Sequence, residues 1–128
     1  MNNKFTLHDK YTLLEGRIIL SGIQALVRLL LDQNRADLIK GLNTGTLVSG
    51  YRGSPVGMLD INLIRNKKLI DQHNIKFIPG VNEDLGATLI YGSQMAGMVS
   101  NVKYDGVMGM WYGKAPGVDR SGDIFRHA

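Results

Sequence analysis

Apolar residues along this chain recur in two different rhythms. Between Gly22 and Lys40 they fall at three-to-four spacing: Ile23, Leu26, Val27, Leu30 and Leu31. Asp32, Arg35, Asp37 and Lys40 fill the other face, and Gly41-Leu42-Asn43 closes the run. That period predicts an amphipathic helix with a glycine stop. A second approximately helical stretch covers 57–73, with Met58, Ile61, Ile64, Leu69 and Ile70. A third, rich in glycine and alanine, runs over roughly 83–99.

Between these lie short apolar runs that read as buried strands: TLVSGY at 46–51, IKFIPG at 75–80 and GVMGMWYG at 106–113. Residues 1–15 read as an irregular, partly exposed lead-in. RIIL at 17–20 fits either a short strand or a helix approach. Val99 to Asp105 reads as a return loop, and KAPGVDRSGD at 114–123 as a polar loop. Strand, helix, strand, helix, strand implies a parallel sheet with right-handed crossovers. All three strands then end on one edge, where α/β proteins bind ligands. SGYRGSP, PGVNED and YGKAPGVDR meet there, bringing Arg52, Ser54, Glu83, Asp84, Lys114, Asp119 and Arg120 together.

Composition narrows the chemistry. At 128 residues, 44% hydrophobic and 20% charged, the chain reads as one globular domain. The net charge is +4, and no basic run with interleaved aromatics appears, which argues against nucleic-acid binding. With no cysteine, disulfides, thiolate nucleophiles and cysteine-bound clusters are excluded within this sequence. The opening lacks an apolar signal core, and IILSGIQALVRLLL at 18–31 is short and carries Arg28. Neither is a membrane span, so a cytoplasmic location is expected. GMWYGK at 109–114 fails the P-loop spacing, and no Rossmann glycine fingerprint occurs. His8, His73 and His127 share no ligand spacing, so no metal site is expected.

Four strings taken together carry a resemblance: YTLLEGRIILSGIQALVRLLLDQNRAD, VSGYRGSP, PGVNEDLGAT and YDGVMGMWYGKAPGVDRSGD. From about Tyr11 onward they are similar to the N-terminal region of the indolepyruvate ferredoxin oxidoreductases. These are thiamin-diphosphate-dependent 2-oxoacid:ferredoxin oxidoreductases. The resemblance implies a three-layer α/β fold, a parallel sheet with helices on both faces, forming an incomplete pyrimidine-binding domain over 16–128 that is truncated at its C-terminus. It puts Glu83 in the place of the glutamate that hydrogen-bonds the cofactor's aminopyrimidine and promotes loss of the thiazolium C2 proton. Gly53 and Pro55 fall at cofactor-binding positions. Ser54, Arg52, Lys114 and Arg120 fall at substrate-binding positions, and Asp84 remains a helix-dipole residue. Gly86, Ala87, Gly92, Ser93, Ala96 and Gly97 would let the third helix pack closely at an interface.

The implied activity is oxidative decarboxylation of indolepyruvate or a similar 2-oxoacid to an acyl-CoA. Coenzyme A and ferredoxin are the implied partners, and the assembly a homo-oligomer. The diphosphate and Mg²⁺ site, with its Gly-Asp-Gly…Asn pattern, and the iron–sulfur clusters are not in this sequence. They are expected in the remaining domains of the same enzyme, of which this chain reads as a fragment, inactive alone. A non-catalytic α/β module that binds a protein partner is the competing reading.

Overall fold

The computed structural model describes residues 6–53 and 56–128. The first element, α1 (Asp9–Thr12), is a single turn followed by a stretch without regular structure. The lead-in is nonetheless fastened down. Tyr11 is buried in the core, and the guanidinium groups of Arg28 and Arg35 donate to the carbonyls of Lys10, Leu13 and Tyr11. Residues 17–20 adopt neither strand nor helix.

Helix α2 (Gly22–Ile39) begins in a capping box, with Ser21 and Gln24 each accepting from the other's backbone N–H. Its inward stripe, Val27, Leu30 and Leu31, is fully buried. Burial of such side chains stabilises the fold by about 1.5–3 kcal/mol each.

Strand β1 (Thr44–Gly50) lies at the centre of a three-stranded sheet. On one side runs β2 (Ile75–Phe77), on the other β3 (Gly106–Tyr112), both parallel to it. Thr46 lies beside Ile75 and Met108, and Val48 beside Phe77 and Met110. The order β2-β1-β3 follows from two crossovers of opposite travel, one through α3 (Leu59–Arg65) and α4 (Lys67–Gln72), the other through α5 (Glu83–Gln94). The single helix expected over 57–73 is broken at Asn66, whose backbone leaves the helical region and both ends one helix and begins the next. Helix α5 tightens into a 3₁₀ turn over Met95–Met98.

Side chains alternate across a strand, so each face of β1 has its own partners. Val48 joins Met108 and Met110 in the cluster built by α2, α3 and Ile70 of α4. Ser49 and Trp111 look the other way, at α5. A methyl group on Gly86 would stand 3.3 Å from Ser49 Oγ and 3.5 Å from Trp111 Nε1. Absence of a side chain at Gly86 therefore sets how deeply α5 seats on the sheet. The fold is α/β with a parallel sheet flanked by helices, as the sequence pattern implies. Gly86 and Ala87 are the small residues of α5 that face inward; Gly92 and Gly97 look into open space.

The sequence reading needs one clear correction. KAPGVDRSGD is not a loop. It forms α6 (Ala115–Arg120) and the start of α7 (Gly122–His127). Pro116 sits in the first turn of α6, where its missing N–H costs nothing. The two helices are held by tertiary contacts with α5 and by an edge-on packing of Phe125 against Trp111 of β3, at 5.0 Å between ring centres.

Candidate functional site at the carboxyl edge of the sheet

The three strands end together. The N–H of Gly80 donates to the carbonyl of Gly50 at 2.9 Å, so the Pro79-Gly80 turn after β2 abuts the end of β1. Asn82 then caps α5, its side chain accepting from the N–H of Leu85 at 2.9 Å. The cap places Glu83 and Asp84 in the first turn, where acids favour the positive helix end.

The two acids have different surroundings. Asp84 accepts from Arg120 Nε at 2.7 Å and from the buried Ser121 hydroxyl at 3.4 Å. The Asp84 carboxylate in turn raises the Arg120 guanidinium further above its ordinary range. Asp84 thus fastens α6 and α7 to α5, beyond its favourable place in the helix dipole.

Among the described residues, Glu83 is held through its backbone and its stem. Its carbonyl accepts from Trp111 Nε1 at 3.2 Å. Gly117 of α6 lies against the Glu83 side chain so closely that an added methyl would overlap its Cγ and stand 3.3 Å from its Cδ. The carboxylate itself makes no hydrogen bond or ion pair among the described residues.

That carboxyl group opens on a cleft of about 110 Å³ lined by Tyr51, Arg52, Gly53, Glu83, Gly113 and Lys114. The loop after each long strand contributes one wall. Gly53, at φ +83, turns the chain after β1 in a conformation that favours glycine. Arg52 is mostly exposed and lies 3.6 Å from Asp60 of α3, a carboxylate with only 9% of its side chain exposed. Behind Arg52, burial and the Asp60 charge push the Tyr112 hydroxyl up to about 12.

Of the residues singled out from the sequence, Glu83, Arg52, Gly53 and Lys114 are brought together in this cleft. Arg120 is not among its lining residues and is engaged by Asp84. Asp119 is exposed on α6. Ser54 and Pro55 lie outside the described residues. Sequence reasoning missed Tyr51 and Gly113 as walls of the cleft and Asp60 as the anchor of Arg52. An aspartate beside Leu59 and Leu63, both fully buried, was the available sign of Asp60.

The cleft is smaller than the roughly 300–1,000 Å³ of a complete ligand site. It offers an unpaired acid, two cationic side chains, an aromatic wall and glycine backbone. Among the described residues no group of three or more His, Cys, Asp or Glu side chains is placed to hold a metal ion. Comparison with protein-family models, with curated proteins and with solved structures finds no match.

Proposed function

We propose that this chain is the pyrimidine-binding domain of a thiamin-diphosphate-dependent enzyme, one that oxidatively decarboxylates a 2-oxoacid such as indolepyruvate with ferredoxin as acceptor. One observation carries the reading. The unpaired Glu83 carboxylate stands at the carboxyl edge of a parallel sheet, in a cleft whose other walls come from the sequence strings that carry the family resemblance.

The donor set fits the aminopyrimidine end of the cofactor. Glu83 offers a carboxylate to a ring nitrogen, and Trp111 and Gly117 fix the backbone and stem from which it projects. Tyr51 gives a flat wall, and Gly53 and Gly113 leave room for a ring to approach the backbone. The residues present do not fit the diphosphate and Mg²⁺ end, which would come from the remaining domains. The cofactor, when bound, supplies the electron sink for breaking the bond to the 2-oxoacid carboxyl group. The protein's part is to hold a carboxyl group that shares a proton with the pyrimidine ring nitrogen and to place positive charge nearby. Arg52 and Lys114 are the cations that would receive the substrate carboxylate, with Arg52 positioned by Asp60.

Replacement of Glu83 by glutamine in the assembled enzyme tests this. The amide keeps the shape and loses the charge. Turnover should fall about a hundredfold or more, by the scale of losing one catalytic proton-transfer or charge-stabilising group. Hydrogen–deuterium exchange at thiamin C2 should slow with it. Near-normal turnover and exchange would reduce Glu83 to a helix-capping acid.

A further inference from the structure

Two arginines stand near Glu83. Arg52 lines the same small cleft. Arg120 feels the Glu83 charge: its guanidinium is raised first by the hydrogen bond and charge of Asp84, and to a smaller extent by Glu83. Yet neither donates to the Glu83 carboxylate, which has no ion pair among the described residues. A guanidinium is weakly hydrated and forks readily onto a carboxylate, so an arginine left free here should close on the acid. Lys114, the third cation, is a strongly hydrated point charge with less to gain.

Each arginine is engaged by another acid. Arg120 Nε donates to Asp84 at 2.7 Å. Arg52 Nε lies 3.6 Å from Asp60 Oδ2. Asp60 is fixed in its turn. Its other oxygen accepts from the Ile61 N–H at 2.7 Å, and it sits in α3 between the fully buried Leu59 and Leu63.

Burial decides the competition for Arg52. Asp60 is buried, whereas Glu83 is only half-buried. A buried carboxylate that loses its cation is left uncompensated, and that costs far more than leaving a hydrated one alone. Arg52 is therefore worth more to Asp60 than to Glu83. Neither Asp60 nor Asp84 lines the cleft.

We infer that Asp60 and Asp84 are positioning residues that withhold Arg52 and Arg120 from Glu83, so that the cleft keeps an open carboxylate instead of closing on an internal ion pair. The charge arrangement stands on the geometry alone; its use for binding a cofactor rests on the proposed function.

Solvent exchange of the arginine Nε–H groups, followed by NMR of the ligand-free labelled chain, tests the arrangement. In the otherwise wild-type chain, Glu83→Gln should leave exchange at Arg52 and Arg120 unchanged. In Asp60→Asn the amide keeps an oxygen for Ile61 and turns a donor toward Arg52, which should move to Glu83. Adding Glu83→Gln to that variant should then speed Arg52 Nε–H exchange about twofold to fivefold, the range that an exposed ion pair gives. Asp84→Asn should make Arg120 depend on Glu83 in the same way, and serves if the Asp60 variant does not fold. Dependence of either arginine on Glu83 in the otherwise wild-type chain, or no dependence in the folded variants, would overturn the inference.

Thiamin diphosphate with Mg²⁺ reads the consequence. Asp60→Asn should raise the concentration for half-saturation by a similar factor. Adding Arg52→Gln should restore it, a rescue that mere loosening of the fold would not give, and absence of that rescue would count against the inference. A wild-type chain that does not bind the cofactor contradicts the proposed function alone, and the exchange result still decides the charge arrangement.

Discussion

Gly117 of α6 rests against the side chain of Glu83 at the start of α5, with no room between them for even a methyl group. A helix that the sequence does not announce therefore sets the position of the acid that the sequence does. The contact involves the Glu83 stem rather than its mobile tip, so the side chain cannot simply swing away.

Gly117→Ala should accordingly be destabilising although alanine is the better helix former. Forcing a methyl into this contact should cost about 1–3 kcal/mol, the usual range for overpacking. Calorimetry of the variant should show a lowered Tm. An unchanged or raised Tm would mean that α6 sits loosely on Glu83.

Asp84 and Arg120 should be unequal partners. Arg120 is 59% exposed, and Arg120→Ala should cost little, as the loss of an exposed ion pair does. Asp84→Ala also strands the fully buried Ser121 hydroxyl, and an unpaired buried hydroxyl adds about 1–3 kcal/mol. Denaturant titration of the two variants checks the order. Equal losses would show that Ser121 takes nothing from Asp84.

Alkali should weaken the fold through Tyr112. Its hydroxyl is buried, has no partner among the described residues, and is pushed by burial and by Asp60 up to about 12 from an ordinary 10.0. Between those values the unfolded chain releases the proton while the folded chain keeps it. The folded state then binds more protons, so stability is full below pH 10 and declines as pH rises toward 12. Tyr112→Phe should remove part of that decline at little cost near neutrality, since it deletes an unpaired polar group. Stability curves of the two proteins that run parallel through the alkaline range would contradict this.

How far the sequence disclosed the molecule depended on where each instruction resides. The α2 stripe and the β1 and β3 runs carry their periods locally, and each was readable within a residue or two. The cleft was readable in outline because the topology of parallel strands places Arg52, Glu83 and Lys114 on one edge whatever the side chains do. The helices α6 and α7 were not readable. Pro116, Gly117 and Gly122 are poor helix formers in isolation. Their structure comes from outside: Gly117 must be small to meet Glu83, Arg120 and Ser121 bind Asp84, and Phe125 packs on Trp111. The division of labour in Glu83-Asp84 was hidden for the same reason, because Arg120 lies 36 residues from the acid it occupies.

The free carboxylate of Glu83 is the centre of the functional account, and titration of the isotope-labelled chain with thiamin diphosphate and Mg²⁺, followed by amide NMR shifts, tests it most directly. Shifts should concentrate at Glu83, Gly53, Gly113 and Lys114 and saturate only at millimolar ligand, since the proposed site takes its diphosphate-binding side from the remaining domains. Glu83→Gln should weaken binding about tenfold, the equivalent of one charge-assisted hydrogen bond of about 1.5 kcal/mol. Shifts scattered over the surface, or the same affinity in wild type and Glu83→Gln, would contradict the assignment of this cleft to the pyrimidine.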